Sequence, residues 1–185
     1  MDFIEFFQYI KTPATVLHVL SVVLGMGSAL TADVLFSFYS KDKKLNPTHI
    51  FTLSLLSKVV SYSLIFIVLS GAMLFLSDVN RYIHSAKFLA KMSIVLVLLV
   101  NGYVLNKYIW AHLLKEGFFT DEKERGWRKL AFACGAISVI SWLSACTLGV
   151  LNRIALPYTH IISIYLLVIL CGVIVSQIVE KKELN

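Results

Sequence analysis

Charged residues are scarce in this sequence. Lys, Arg, Asp and Glu make up 15% of the 185 residues, whereas hydrophobic residues make up 58%. An average soluble domain has about 25% charged residues and roughly half apolar ones. The apolar residues also form blocks longer than the helices of a soluble core require. This composition excludes an ordinary soluble domain and indicates an integral membrane protein.

Several chemistries lack the residues that they need. There is no GxSxG, no glycine-rich phosphate loop and no paired carboxylates, so hydrolase and nucleotide-binding functions are not supported. The four methionines do not cluster, which disfavours copper transport. No CxxC pair is present, and the three cysteines lie inside apolar runs as expected for packing residues: Cys134, Cys146 and Cys171.

Five apolar segments are long enough to cross the roughly 30 Å of hydrocarbon in a bilayer. The predicted spans are 13–39, 49–76, 85–114, 127–151 and 157–179. Pro13 and Pro157 suit the first turn of a helix, where a missing N–H costs nothing. The connections are short, and no repeat or linker divides the chain. The sequence therefore predicts an all-α, integral membrane bundle of five transmembrane helices, in which residues 1–185 form a single domain.

The loops predict the orientation of this bundle, because cytoplasmic loops are enriched in Lys and Arg. One side carries ten such residues: Lys41, Lys43, Lys44, Lys115, Lys123, Arg125, Arg128, Lys129, Lys181 and Lys182. The other side carries four: Lys11, Arg81, Lys87 and Arg153. We therefore expect the N-terminus outside and the C-terminus in the cytoplasm, in a membrane of the bacterial inner type. The net charge of +6 then reflects topology and does not indicate nucleic acid. The loop TDEKERGWRK is predicted to be a solvated connection.

The first span, LHVLSVVLGMGSALTADVLF, carries a stripe of small and polar residues. At 100° per residue, His18, Ser21, Gly25 and Ala29 share one face. Small residues let a neighbouring helix, or a flat cofactor, come close. Helix packing through Gly25 and Ala29 explains the small residues. It does not explain His18, which makes His18 a candidate ligand of a cofactor seated against Gly25.

Asp33 and Lys58 lie inside spans, where ionisable residues are rare and are functional candidates. Both are at depths that a lysine stem can bridge by snorkelling. The favoured interpretation is an ion pair between the first two helices. A proton or ion pathway is the alternative.

Three histidines are expected near the outer face, on three different helices. They are His18, His84 and His160, and they could converge on a haem or a metal ion, as side chains on facing helices do in other bundles. Lys91 lies deeper in the third span, on the face that also carries His84. Asn101 is near the middle of that span and needs a hydrogen-bond partner.

Three segments resemble a group of small bacterial membrane proteins that includes the HemJ-type protoporphyrinogen oxidases and the CopD-type copper-resistance proteins. They are LHVLSVVLGMGSAL, LIFIVLSGAMLFL and KMSIVLVLLVNGYVLN, and the likeness covers about residues 14–112. The resemblance implies that the first-helix histidine and the third-helix lysine form a functional pair tied to haem. These residues are His18 and Lys91. The first helix ends in ADVLF where the oxidases have a Pro-Arg pair, and the last two spans do not match, which favours a haem-binding relative over the oxidase itself.

Three functions follow as hypotheses. The first is a haem b protein with a redox or haem-related role. In this hypothesis His18 is an axial ligand of the iron and the haem lies in a pocket at Gly25. A second ligand, or a partner for the haem propionates, comes from Lys91, His84 or His160. Its expected partners are the lipid bilayer and either a redox partner or a second copy of the chain. The second hypothesis is a transporter of protons or metal ions. The third is a non-catalytic subunit of a larger membrane complex.

Overall fold

The computed structural model describes residues 3–39, 46–116, 125–151 and 155–182, and these ranges are helical with short connections. They contain eight α-helices and one π-helical turn. In chain order these are α1 Phe3–Tyr9, α2 Lys11–Tyr39, α3 Pro47–Leu76, α4 Val79–Ile83, α5 Ala86–Val104, the π turn Leu105–Ile109, α6 Trp110–Glu116, α7 Arg125–Val150 and α8 Tyr158–Lys182.

Five stretches of helix are long and apolar enough to span a membrane, which confirms the predicted number of spans. They are α2, α3, the continuous stretch Ala86–Leu113, α7 and α8. Their ends differ from the predicted ends by at most a few residues. The longer helices continue into polar sequence because backbone hydrogen bonds do not stop at the edge of the hydrocarbon. At the start of α3, for example, Asn46 accepts a hydrogen bond from the Thr48 amide over 3.3 Å, and Pro47 occupies the first turn.

The orientation of the bundle stays a prediction from loop charge. Several residues on which it depends lie outside the described ranges: Lys41, Lys43, Lys44, Lys123 and Arg153. The two ends are therefore named here by residues. The His18 end is where α2, α5 and α8 begin. The Asp33 end is the opposite one, where α3 and α7 begin.

Helix α7 lies at the centre of the packing. It contacts α2, α5 and α8, while α3 packs along α2. Trp142 of α7 is 2% exposed and joins Ala29, Leu64 and Leu98 in a core cluster shared by four helices. The opposite faces of the outer helices carry large exposed apolar side chains such as Leu167, as expected where the surrounding solvent is lipid.

Arg128 corrects the predicted solvated loop. The sequence TDEKERGWRK enters α7 at Arg125, and Arg128 is buried one turn later. Its Nε donates to Oε1 of Glu180 on α8 over 2.5 Å, and both side chains are buried. Hydropathy alone places both charges at helix ends near water, whereas packing of α7 on α8 encloses them.

Candidate functional site

His18 is held against α3 by a polar contact. Its Nδ1 lies 3.0 Å from Oγ of Ser70, a fully buried side chain near the end of α3. The next residue, Gly71, lies beside the imidazole, and a Cβ there would make ordinary contact with Cε1 of His18 at 3.6 Å. Ser70 was missed by the sequence analysis. The pair Ser70–Gly71 in LIFIVLSGAMLFL was its only signal.

The hydrogen bonds of Ser70 assign the tautomer of His18. The single hydroxyl proton of Ser70 is donated to the Phe66 carbonyl, 2.5 Å away within α3. Oγ can then accept from His18, and the tautomer that fits this arrangement has the proton on Nδ1. In the neutral ring, Nε2 then has a free lone pair. The Ile67 carbonyl of α3 also lies close enough to the imidazole to interact with one of its ring nitrogens.

Lys91 lies at the same end of the bundle. It is close enough to His18 for its charge to act on the imidazole. Its Nζ lies beside Gly149 of α7, 3.9 Å from where a Cβ of that residue would be. Within the part of the chain that the structure describes, Lys91 has no hydrogen-bond or ion-pair partner. Lys87, by contrast, donates to the Leu151 carbonyl just beyond α7.

The face of α2 at Gly25 is filled by protein, which corrects the predicted cofactor pocket. A Cβ at Gly25 would lie 2.7 Å from Cη2 of Trp142 and 2.9 Å from Cβ of Ser63. The flat group that lies on this glycine is the indole ring of Trp142. The small-residue stripe thus serves helix packing at Gly25, and His18 lies about two turns away from that contact.

His84 and His160 do not join His18 in a cluster. Nδ1 of His84 contacts the Asn80 carbonyl over 3.0 Å in the turn formed by α4, and the side chain is exposed. His160 is exposed on the first turn of α8, a helix that packs on α7 and α5. Among the described residues there is no group of three or more His, Cys, Asp or Glu side chains that could hold a metal ion. No such group contains His18, His84 and His160 together, so the structure gives no support to the expected convergence.

Asp33 and Lys58 do not form the predicted ion pair. Oδ2 of Asp33 is buried without a hydrogen-bond partner, and Oδ1 would lie 3.2 Å from a Cβ at Gly135 of α7. Lys58 is exposed on α3 and, like Asp33, contacts no oppositely charged side chain among the residues described. The depth of the two residues was consistent with a pair. The rotation of α2 about its axis turns the carboxylate toward α7 instead.

A cavity of about 480 Å³ lies beside Asp33. Its wall includes the π turn, which contributes Leu105, Asn106 and Ile109. Such turns occur often at functional sites. The amide of Asn106 accepts from Ser57 over 2.6 Å and donates to the Gly102 carbonyl over 3.0 Å, so its polar atoms are engaged.

Asn101 has the partner that its position requires. Its side-chain amide donates to the Cys134 carbonyl over 3.0 Å, which fastens α5 to α7 near the middle of the bundle. This bond is structural. It places no reactive group in either the His18 region or the cavity.

The chain was compared with protein-family models, with curated proteins and with solved structures, and none of these comparisons gave a match. The class that the fold defines is a multi-pass helical membrane protein. Any function must be argued from the two polar regions, one at each end.

Proposed function

We propose that this membrane protein binds haem b, with His18 as an axial ligand and Lys91 holding a haem carboxylate. The observation that carries the proposal is the 3.0 Å contact between Nδ1 of His18 and Oγ of Ser70, which can orient the ring so that Nε2 is offered to a metal. Ligating histidines generally donate their other ring N–H to a fixed acceptor, which sets the tautomer and orients the ring. Ser70 is such an acceptor for His18.

Lys91 adds a second argument, from charge. An amine inside a membrane span needs an anion, and no acidic side chain in the described ranges pairs with Lys91. A metal-bearing ligand with carboxylate groups would satisfy the lone pair and the amine together. Haem b has this combination of groups, and the resemblance that pairs His18 with Lys91 leads to the same ligand.

The residues fit this group in part. His18 and Lys91 have the chemistry required, whereas Trp142 fills the face of Gly25, so the group would be held from Nε2 of His18 and not against Gly25. The exposed histidines His84 and His160 are left out of the proposed site. When bound, the haem would supply a one-electron redox couple whose potential depends on its ligands and on burial.

Absorption spectra of the purified protein test the proposal. We expect a Soret band in the native protein expressed with ample haem, and its loss in His18→Ala. His160→Ala is the matched control, because it removes an exposed histidine from the same end of the bundle. A Soret band of normal intensity in His18→Ala would overturn the role of His18.

Ion transport has less support as a function. It was based on Asp33, Lys58, Asn101 and the outer histidines, and of these the Asn101 amide is bound to the Cys134 carbonyl while His84 and His160 are exposed. A bare metal ion would also need several ligands together, and no group of three occurs among the described His, Cys, Asp and Glu residues.

A further inference from the structure

A half-buried carboxylate, one oxygen of which is buried without a hydrogen-bond partner, lines a cavity at the Asp33 end of the bundle. A carboxylate that is removed from water and left unpaired is costly, particularly within a membrane span. Oδ2 of Asp33 has no hydrogen bond, and Gly135 leaves the space that Oδ1 approaches. The cavity volume, about 480 Å³, is in the range that small-molecule sites have.

The residues that line the cavity indicate which kind of ligand would bind to this carboxylate. Asp33 is the one charged residue among the described residues that line it. Most of the others are apolar, and two aromatic rings, Phe36 and Phe132, contact each other edge to face with centroids 5.8 Å apart. A metal ion such as Mg²⁺ or Ca²⁺ would need about six oxygen ligands. An organic cation needs one carboxylate, apolar walls and aromatic faces.

The cavity is also placed where an apolar molecule would arrive from the bilayer. Val175 and Val179 of α8 line it, and the same side chains are 57% and 40% exposed on the outer surface of that helix. The wall that α8 contributes is therefore apolar and exposed, as suits a ligand that partitions into lipid. The π turn on the opposite wall holds Asn106 in bonds to Ser57 and Gly102, so this amide does not compete for the ammonium.

We propose that the Asp33 cavity binds an apolar organic cation, with the ammonium group on the Asp33 carboxylate and the apolar body against the aromatic and aliphatic lining. The proposal does not depend on haem. It concerns the opposite end of the bundle from His18, and the failure of either one leaves the other standing.

Equilibrium dialysis against the full-length protein in phosphatidylcholine nanodiscs tests this directly. The probes are 1-adamantylammonium and 1-adamantanol, which share one rigid apolar body and differ in charge. We expect saturable binding of the ammonium about tenfold or more tighter than the alcohol, because a charge-assisted hydrogen bond to a carboxylate is about twice as strong as a neutral one. Asp33→Asn should abolish this preference. Asp78→Asn is the matched control, because it removes an acid that caps α4 while asparagine retains the capping function.

A second pair of variants leaves Asp33 in place. Gly135→Val adds bulk beside the carboxylate and should weaken binding of the ammonium about tenfold. Gly27→Val is its control, because a Cβ at Gly27 meets nothing within 4 Å. The proposal is overturned by equal affinities for the two probes, by a preference that persists in Asp33→Asn, by unchanged binding in Gly135→Val, or by no binding above protein-free nanodiscs.

Discussion

Nδ1 of His18 lies 3.0 Å from Oγ of Ser70, and the same hydroxyl donates a hydrogen bond to the Phe66 carbonyl. These two contacts hold the imidazole against α3. The predictions below test that arrangement and the packing around it.

Ser70→Ala should weaken haem binding without unfolding the bundle. The variant removes the acceptor for Nδ1–H, so the ring loses its fixed tautomer and orientation. Loss of such a supporting bond typically costs about ten- to a hundredfold in metal affinity. The measurement is haem bound per chain in a haemin titration. Ser21→Ala is the control, because that buried hydroxyl bonds the Leu17 carbonyl of its own helix. Equal affinities of Ser70→Ala and native protein would contradict the orienting role.

Lys91→Met should lower haem affinity while leaving the band positions unchanged. Methionine keeps an unbranched apolar stem, so the change removes charge with little loss of packing. A carboxylate partner affects affinity, whereas an axial ligand would also determine the spectrum. Haem affinity and reduced-state spectra should be recorded for Lys91→Met and for the exposed Lys58→Met. Shifted bands would show that the amine ligates iron, and an unchanged affinity would remove Lys91 from the site.

Glu180→Gln should destabilise the protein strongly. Arg128 and Glu180 are both buried, and removal of one partner leaves an uncompensated charge, at a cost of about 3–5 kcal/mol. The free energy of unfolding in detergent is the quantity to measure. Lys181→Gln, on the exposed side of the same turn, should change it little. A loss below about 1 kcal/mol for Glu180→Gln would mean that water reaches the pair.

Gly25→Ala should destabilise the contact between α2 and α7. The new methyl would lie 2.7 Å from the Trp142 ring, so one helix must shift, and such overpacking typically costs about 1–3 kcal/mol. Gly27→Ala has open space around it and should be neutral or slightly stabilising, since alanine favours helix. Thermal unfolding of both variants is the measurement. Equal stability of the two would show that Trp142 does not rest on Gly25.

The sequence predicted the number and place of the spans because lipid imposes a minimum length of apolar helix. It did not predict which side chain fills the space at Gly25, because Trp142 comes from a helix far along the chain. The number of residues from the helix end predicted how deep Asp33 and Lys58 lie in the membrane. It did not predict how each helix is rotated about its own axis, and this rotation determines which helix each side chain faces. The π turn at Leu105–Ile109 was not predicted, because no local residue pattern distinguishes it from the α-helix on either side. The buried Arg128–Glu180 pair was missed because each charge, taken alone, suits a solvated helix end.

Haem-dependent absorption of the wild-type chain and His18→Ala tests the central claim most directly. Haemin should be titrated into haem-free protein in detergent and the Soret band followed. The account predicts saturation at one haem per native chain and no specific band in His18→Ala. Saturation at the same stoichiometry and affinity in both proteins, or no saturable band in the native chain, would contradict it.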